Sequence, residues 1–212
     1  VADMDSTILQ IETLDEIGSA IGKEREIAMI TEKAMNGDID FETALRKRVK
    51  LLAGLNINQL IELVLEKLLI TQGASTLVTT MKANGAVTAL VSGGFTVITE
   101  IIREKLNFDL CHGNTLVVDS SIVTGDLKPP IIDGNTKAAI LHQECKRLEI
   151  SRDDTLAVGD GANDIPMLTE ASLGVGFMPK PVVKKHVSNK IEHCDLRGVL
   201  FLQGFAENEF IT

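Results

Sequence analysis

At 212 residues, the chain can bury one substantial core with room for a smaller appended domain. A composition of 44% apolar and 24% charged residues is that of a soluble globular protein and excludes extended disorder. The formal net charge of -9 excludes nucleic acid and anionic lipid as natural partners, and makes the placing of local positive charge informative.

The chain starts with a short apolar pair, Val1-Ala2, running into Asp3-Met4-Asp5-Ser6-Thr7. From about residue 13 to 72 the pattern is helical. Ile17, Ala20, Ile21, Ile27 and Ile30 recur at helical spacing, and Leu60, Ile61, Val64, Leu65 and Leu68 do so again after a loop around Gly54-Leu55-Asn56. No strand pattern interrupts this stretch, so it reads as a helical cap domain over 13–72, inserted in a core made of 1–12 and 73–212. An apolar strand pattern from Ala86 to Val91 ends in Ser92-Gly93-Gly94 and leads into a helix bearing Val97, Ile98, Ile101 and Ile102. Thr115 to Val118 and Ser121 to Thr124 flank Asp119-Ser120 and predict a β-hairpin. A helix with Ala138, Ile140 and Leu141 follows the turn formers Asp133-Gly134-Asn135, and a third strand, Thr155 to Val158, ends in Gly159-Asp160-Gly161. Strands alternating with helices predict an α/β fold with a parallel sheet and helices on both faces. Such sheets gather their active groups at the carboxyl ends of the strands, where all three turns fall.

Cys111, Cys145 and Cys194 are odd in number, widely spaced and free of any C-x-x-C, a usage that fits reduced thiols in a cytoplasmic protein. The histidines form no H-x-H or H-E-x-x-H pair, so they read as structural. No apolar run approaches the ~20 residues that span a bilayer. No secretory signal is visible, and the first residue is Val1, so a further domain upstream is compatible with the sequence.

The pair Asp3 and Asp5 is the most informative feature. A carboxylate attacking a phosphate ester meets like-charge repulsion on the order of 4 kcal/mol at ~4 Å and an effective dielectric of ~20. A cation must neutralise that repulsion, and magnesium with oxygen ligands suits the task. The second acid, Asp5, is placed to protonate the leaving alkoxide and then to activate water, provided its pKa is raised. Taken alone, D-x-D is also what a turn-rich loop looks like. Gly159-Asp160-Gly161-Ala162-Asn163-Asp164 offers Asp160 as a metal ligand and Asp164 as the residue that orients it. A dinucleotide fingerprint would need glycine in place of Asp164, and an EF-hand loop counted from Asp160 would need glutamate at Ala171.

Ser92, Gly93 and Gly94 supply a hydroxyl and close-approaching amides, a neutral cradle for phosphate. Lys137 falls in the first turn of its helix, where a cation opposes the helix dipole by ~0.3–1 kcal/mol and so suggests an anionic partner. In the helical insertion, Arg46-Lys47-Arg48 sets cationic groups against an acidic background, and arginine suits bidentate carboxylate recognition; a solvated helix face is the alternative.

Joined in this order and spacing, Asp3-Met4-Asp5-Ser6-Thr7, Val91-Ser92-Gly93-Gly94-Phe95, Lys137 and Gly159-Asp160-Gly161-Ala162-Asn163-Asp164 resemble the motifs of the haloacid dehalogenase superfamily, and within it the phosphoserine phosphatase family. The stretches Ala34-Met35-Asn36-Gly37 and Leu45-Arg46-Lys47-Arg48-Val49 extend the likeness into the insertion. The resemblance implies a Rossmann-like three-layer core with a mainly parallel sheet and a small helical cap. It implies magnesium-dependent hydrolysis of O-phospho-L-serine to L-serine and phosphate, the last step of serine biosynthesis, through an aspartyl-phosphate. It makes Asp3 the nucleophile and Asp5 the acid/base, with Mg2+ held by the carboxylates of Asp3 and Asp160 and the backbone carbonyl of Asp5. Ser92, Gly93 and Lys137 would hold the phosphoryl group, and Asn163 would contact the phosphoryl or substrate side, with Asp164 behind the metal ligands. Glu12 would meet the substrate ammonium, Arg48 its carboxylate, and Met35 and Phe41 would wall the pocket. One departure is that only Val1 and Ala2 precede Asp3, where the family has a longer apolar strand. The rival readings are a phosphatase or phosphotransferase of the same superfamily acting on another small ester, and a phospho-acceptor signalling domain, which is shorter and lacks a cap.

Overall fold

In the computed structural model, which describes residues 1–212, the whole sheet is joined through one residue. Ala2 bridges Leu90 on one side and Val158 on the other, both in parallel. Its N–H donates to Ala89 O at 2.8 Å and its carbonyl accepts from Val91 N–H at 2.8 Å, while Asp3 N–H reaches Val158 O at 3.0 Å. The strands on either side are β1 (Ala89–Phe95), β2 (Leu110–Asp119) and β3 (Ile122–Lys128), and β4 (Leu156–Gly159), β5 (Leu173–Phe177) and β6 (Asn189–Ile191). With Ala2 in the middle, the order is β3-β2-β1-Ala2-β4-β5-β6, parallel throughout except for the antiparallel pair β2 and β3.

Two-residue periodicity assigns the faces. Leu90 and Val158 join Leu77 and Val78 of α5 (Ala74–Ala83) and Ile98 and Ile102 of α6 (Thr96–Leu106) in the main core. Their neighbours Ala89, Val91 and Ala157 turn the other way, toward α7 (Gly134–Leu148) and α8 (Ile165–Glu170). This is the expected three-layer arrangement. No helix is long and apolar enough to cross a membrane.

The stretch 13–72 is helical as its spacing predicts: α1 (Thr13–Ala20), α2 (Glu24–Met35), α3 (Phe41–Lys50) and α4 (Ile57–Lys67). Asp40 starts α3 by accepting from Thr43 N–H at 2.7 Å, and Asn56 starts α4 by accepting from Asn58 N–H at 2.9 Å. The buried faces of these helices (Ile17, Leu45, Val49, Leu60, Val64) are continuous with the main core. The chain between α3 and α4 fastens to the hairpin: Gly54 N–H donates to Val123 O at 2.9 Å, and Val123 N–H to Leu55 O at 2.8 Å.

Two details differ from expectation. Ser92 to Gly94 belong to β1 instead of following it, with a break in register against β2 between Val91 and Phe95. The hairpin turn lies at Ser120-Ser121, both with positive φ (48° and 68°), one residue later than the sequence suggests. The first strand is as short as Val1-Ala2 predicts: Ala2 alone bridges both neighbours.

Candidate active site

Asp3 leaves the sheet between β1 and β4, so the ends of those strands flank it. After it the chain makes a wide turn over Met4–Ile8, closed by Leu9 N–H on Met4 O at 2.8 Å, with Ser6 at φ 56°. This turn keeps Asp5 over the same strand ends as Asp3. The carboxylates of Asp3, Asp160 and Asp164 gather so that one oxygen from each lies within 4.8 Å of the others, and all three residues are buried. The first and third of the turns at the carboxyl ends of the strands therefore converge.

Lys137 is the cation at the centre. It is 0% exposed, and its Nζ donates to Asp3 Oδ1 at 2.5 Å and to Asp164 Oδ1 at 2.7 Å. Burial opposes its charge, but Asp164 and Asp3 outweigh that and hold it above the ordinary lysine range. Asp164 Oδ2 accepts from the N–H groups of Asp160 (3.1 Å) and Gly161 (3.0 Å), so one of its oxygens shapes the turn while the other holds Lys137. Asp3 has only Oδ1 engaged, leaving Oδ2 without a protein donor. Burial first, and Asp164 second, push the Asp3 carboxyl well above its usual range.

Asp5 is held by Thr13, whose N–H reaches Oδ1 at 3.4 Å and whose hydroxyl donates to Oδ2 at 3.1 Å. Burial, followed by the nearby Glu12 carboxylate, raises Asp5 to about 7. The cradle stands opposite. Ser92 Oγ accepts from Gly94 N–H at 2.8 Å. A methyl group on Gly94 would lie 3.0 Å from Ser92 Oγ and 3.1 Å from Asp5 Oδ2, and one on Gly93 would lie 3.1 Å from the Phe41 ring and 3.8 Å from Asn163 Nδ2. A side chain at either position would make its neighbours give by a few tenths of an ångström at this meeting point of nucleophile loop, cradle and helical insertion.

A hard divalent cation fits the donor set, because the facing groups are carboxylate oxygens. Of these groups, Asp160 is raised by burial to about 6 against the pull of Lys180, whose Nζ lies 3.0 Å from its Oδ2.

Comparison with known proteins agrees with this arrangement. Residues 1–169 match the model of the haloacid dehalogenase-like hydrolase family. The chain belongs to that family. Among the relatives of this haloacid dehalogenase-like hydrolase, a phosphoserine phosphatase of Methanocaldococcus jannaschii is 41% identical over 198 residues, covering 93% of each chain. A solved phospho-aspartyl intermediate analogue of phosphoserine phosphatase matches with a TM-score of 0.88 at 40% identity, over 95% of this chain and 96% of that one. A substrate-bound phosphoserine phosphatase complex matches with the same TM-score and identity, over 95% of each chain.

Of the residues singled out in this hydrolase, Asp3, Asp5, Ser92, Gly93, Lys137, Asp160, Asn163 and Asp164 come together, and Phe41 of α3 reaches them. Glu12 stands at their edge, its Oε1 accepting from Ser6 Oγ at 2.8 Å. Arg48 is half-buried on α3, donating to Ala44 O at 3.4 Å; burial lowers its pKa against the opposing pull of Asp15 and Glu12. Met35 does not join the group: it is 80% exposed at the end of α2.

Three supporting residues escaped the sequence reading. Thr13, which holds Asp5, sits at the first position of α1, where only a helix-start argument would look. Buried Asn114 ties the cradle to the approach of α7, its Nδ2 donating to Gly93 O at 2.9 Å and its Oδ1 accepting from Ile132 N–H at 2.8 Å. An asparagine inside a strand pattern was its signal. Lys180, between Pro179 and Pro181, carried no motif.

Proposed function

We propose that this hydrolase converts O-phospho-L-serine to L-serine and phosphate through an aspartyl-phosphate on Asp3. The observation that carries the mechanism is the unequal treatment of two carboxylates on one turn. Asp3 is clamped through one oxygen by Lys137 and offers the other, while Asp5 is raised to about 7, where it can both give and take a proton. Asp3 Oδ2 attacks phosphorus, the ester P–O bond breaks, and Asp5 gives its proton to the departing serine oxygen. Asp5 then takes a proton from water, which attacks phosphorus and releases Asp3 and inorganic phosphate.

Lys137, Ser92 and the Gly93 amide bind and orient the phosphoryl group, with Asn163 beside them. The carboxylates of Asp3 and Asp160 and the Asp5 backbone carbonyl would hold Mg2+, with Asp164 fixing the turn behind them. When bound, the ion supplies the positive charge that lets a carboxylate approach a phosphate ester. Residues 13–72 act as a cap over the core formed by 1–12 and 73–212. In that cap Phe41 walls the pocket and Arg48 meets the substrate carboxylate, while Glu12, at the edge of the core, meets the substrate ammonium. Opposite charges so placed favour an amino acid ester over a sugar phosphate. The relationship to named phosphoserine phosphatases at about this length supports the substrate.

Phosphate release from phosphoserine, glycerol phosphate and glucose 6-phosphate, each with Mg2+ or with chelator, tests the reading. Phosphoserine should be turned over at least ~100-fold faster than the sugar ester, with activity lost in chelator. Asp3→Asn should abolish turnover in a protein with an unchanged circular dichroism spectrum. Equal rates on all three esters would remove the substrate assignment, and persistent activity of Asp3→Asn would remove the nucleophile.

A further inference from the structure

Lys180 takes no part in the scheme above, yet its ammonium sits between the two halves of the site. Nζ lies 3.0 Å from Asp160 Oδ2 and 3.2 Å from Glu12 Oε1. Asp160 belongs to the proposed metal site and Glu12 to the proposed ammonium site, so one charge is shared by two proposed cation sites.

The backbone beneath this lysine is fixed. Lys180 N–H donates to Asp160 O at 2.9 Å, and its carbonyl accepts from Val183 N–H at 2.9 Å. The side chain, by contrast, is 50% exposed. A four-carbon stem on a fixed root can therefore swing its charge without moving the fold. Its contact with Glu12 is open to water on both sides and that with buried Asp160 on the lysine side, in contrast to the enclosed pairing of Lys137 with Asp3 and Asp164.

We propose that Lys180 is a placeholder cation, which neutralises Asp160 in the empty site and retreats to Glu12 when the divalent ion arrives. This inference rests on the metal-binding reading of Asp160. Its consequence is competition: a resident positive charge beside a metal carboxylate weakens metal binding, because the ion must displace or repel it. The lysine also prevents Asp160, Glu12 and Asp5 from facing one another uncompensated before the ion binds. Lys180 is on this account a positioning residue that sets metal affinity and keeps the apo site assembled.

The test is calorimetric titration of Mg2+ into metal-free wild type, Lys180→Met and Lys180→Arg, together with their urea unfolding midpoints in chelator. Lys180→Met should bind Mg2+ about tenfold more tightly than wild type, while unfolding at lower urea without metal. Lys180→Arg, which keeps the charge, should stay within about threefold of wild type. Mg2+ affinity that is unchanged or weaker in a folded Lys180→Met overturns the proposal, since competition would then be absent. If wild type itself takes up no Mg2+, the metal-binding reading fails first and the placeholder falls with it.

Discussion

Asp3 and Asp5 differ in their fixed donors more than in their distance from the reaction. A buried lysine holds the first; a threonine holds the second with two bonds that favour its charged form, while burial and Glu12 push it toward the neutral one. The balance places Asp5 at about 7. Thr13→Val keeps the shape of the side chain and removes the hydroxyl donor at 3.1 Å, so the balance moves toward the neutral acid. A hydrogen bond to a carboxylate of about 1.5–3 kcal/mol corresponds to a shift of roughly 1–2 pH units. If Asp5 must carry a proton to serve the leaving serine, kcat/KM falls as pH rises through its pKa. In Thr13→Val that alkaline limb should move to higher pH by the same amount. A profile whose alkaline limb stays in place would mean that another group donates the proton.

Elements with a strong periodic signal were legible, and those governed by tertiary contacts were not. The helices of 13–72 and α6 could be read from their apolar spacing, and Asp133 announced α7, where it accepts from Thr136 N–H at 2.8 Å. The same holds for the site: the order of carboxylates, cradle and lysine could be read, whereas Thr13, Asn114 and Lys180 act through contacts that no local pattern displays. α5 is rich in Thr and Val, weak helix formers, and forms because Leu77 and Val78 bury against the sheet. β5, Leu173-Gly174-Val175-Gly176-Phe177, is obscured by glycines that normally weaken a strand. They are required by close approach: a Cβ on Gly174 would lie 2.0 Å from Leu168 O and 2.8 Å from its carbonyl carbon, which are backbone atoms that cannot rotate away. Gly174→Ala must therefore push α8 off the sheet, and α8 begins directly after Asp164. The expected cost is roughly 2–4 kcal/mol, read from the urea midpoint, with a loss of activity in the protein that remains folded. A variant of wild-type stability would show that α8 can slide freely on β5.

Across the whole molecule, two sets of carboxylates act in different pH ranges. Asp40, Asp109 and Asp195 are held below the usual carboxylate range, by the Thr43 amide for Asp40, by Lys82 and Thr88 against burial for Asp109, and by Arg197 for Asp195. Their stabilisation is present above the unfolded pKa, about 4, and is lost as pH falls below it. Asp3, Asp5 and Asp160 are raised, chiefly by burial, with Asp160 at about 6 and Asp5 at about 7. For these acids the folded state binds protons that the unfolded state has already released, so stability falls as pH rises from about 4 through those values. Each unit of elevation corresponds to about 1.4 kcal/mol, so the active site is the main alkaline liability of the metal-free fold. The metal-free protein should accordingly be most stable near pH 4–5 and show a falling urea midpoint between pH 5 and 8. A divalent ion bound only by the folded state replaces those protons as the counter-charge and stabilises by mass action. Saturating Mg2+ should therefore raise the midpoint more at pH 8 than at pH 5, because at pH 5 protons still occupy the carboxylates it needs. A metal-free midpoint that stays level from pH 5 to 8, or an Mg2+ increment no larger at pH 8, would show that these buried carboxylates are not what limits the metal-free fold at alkaline pH.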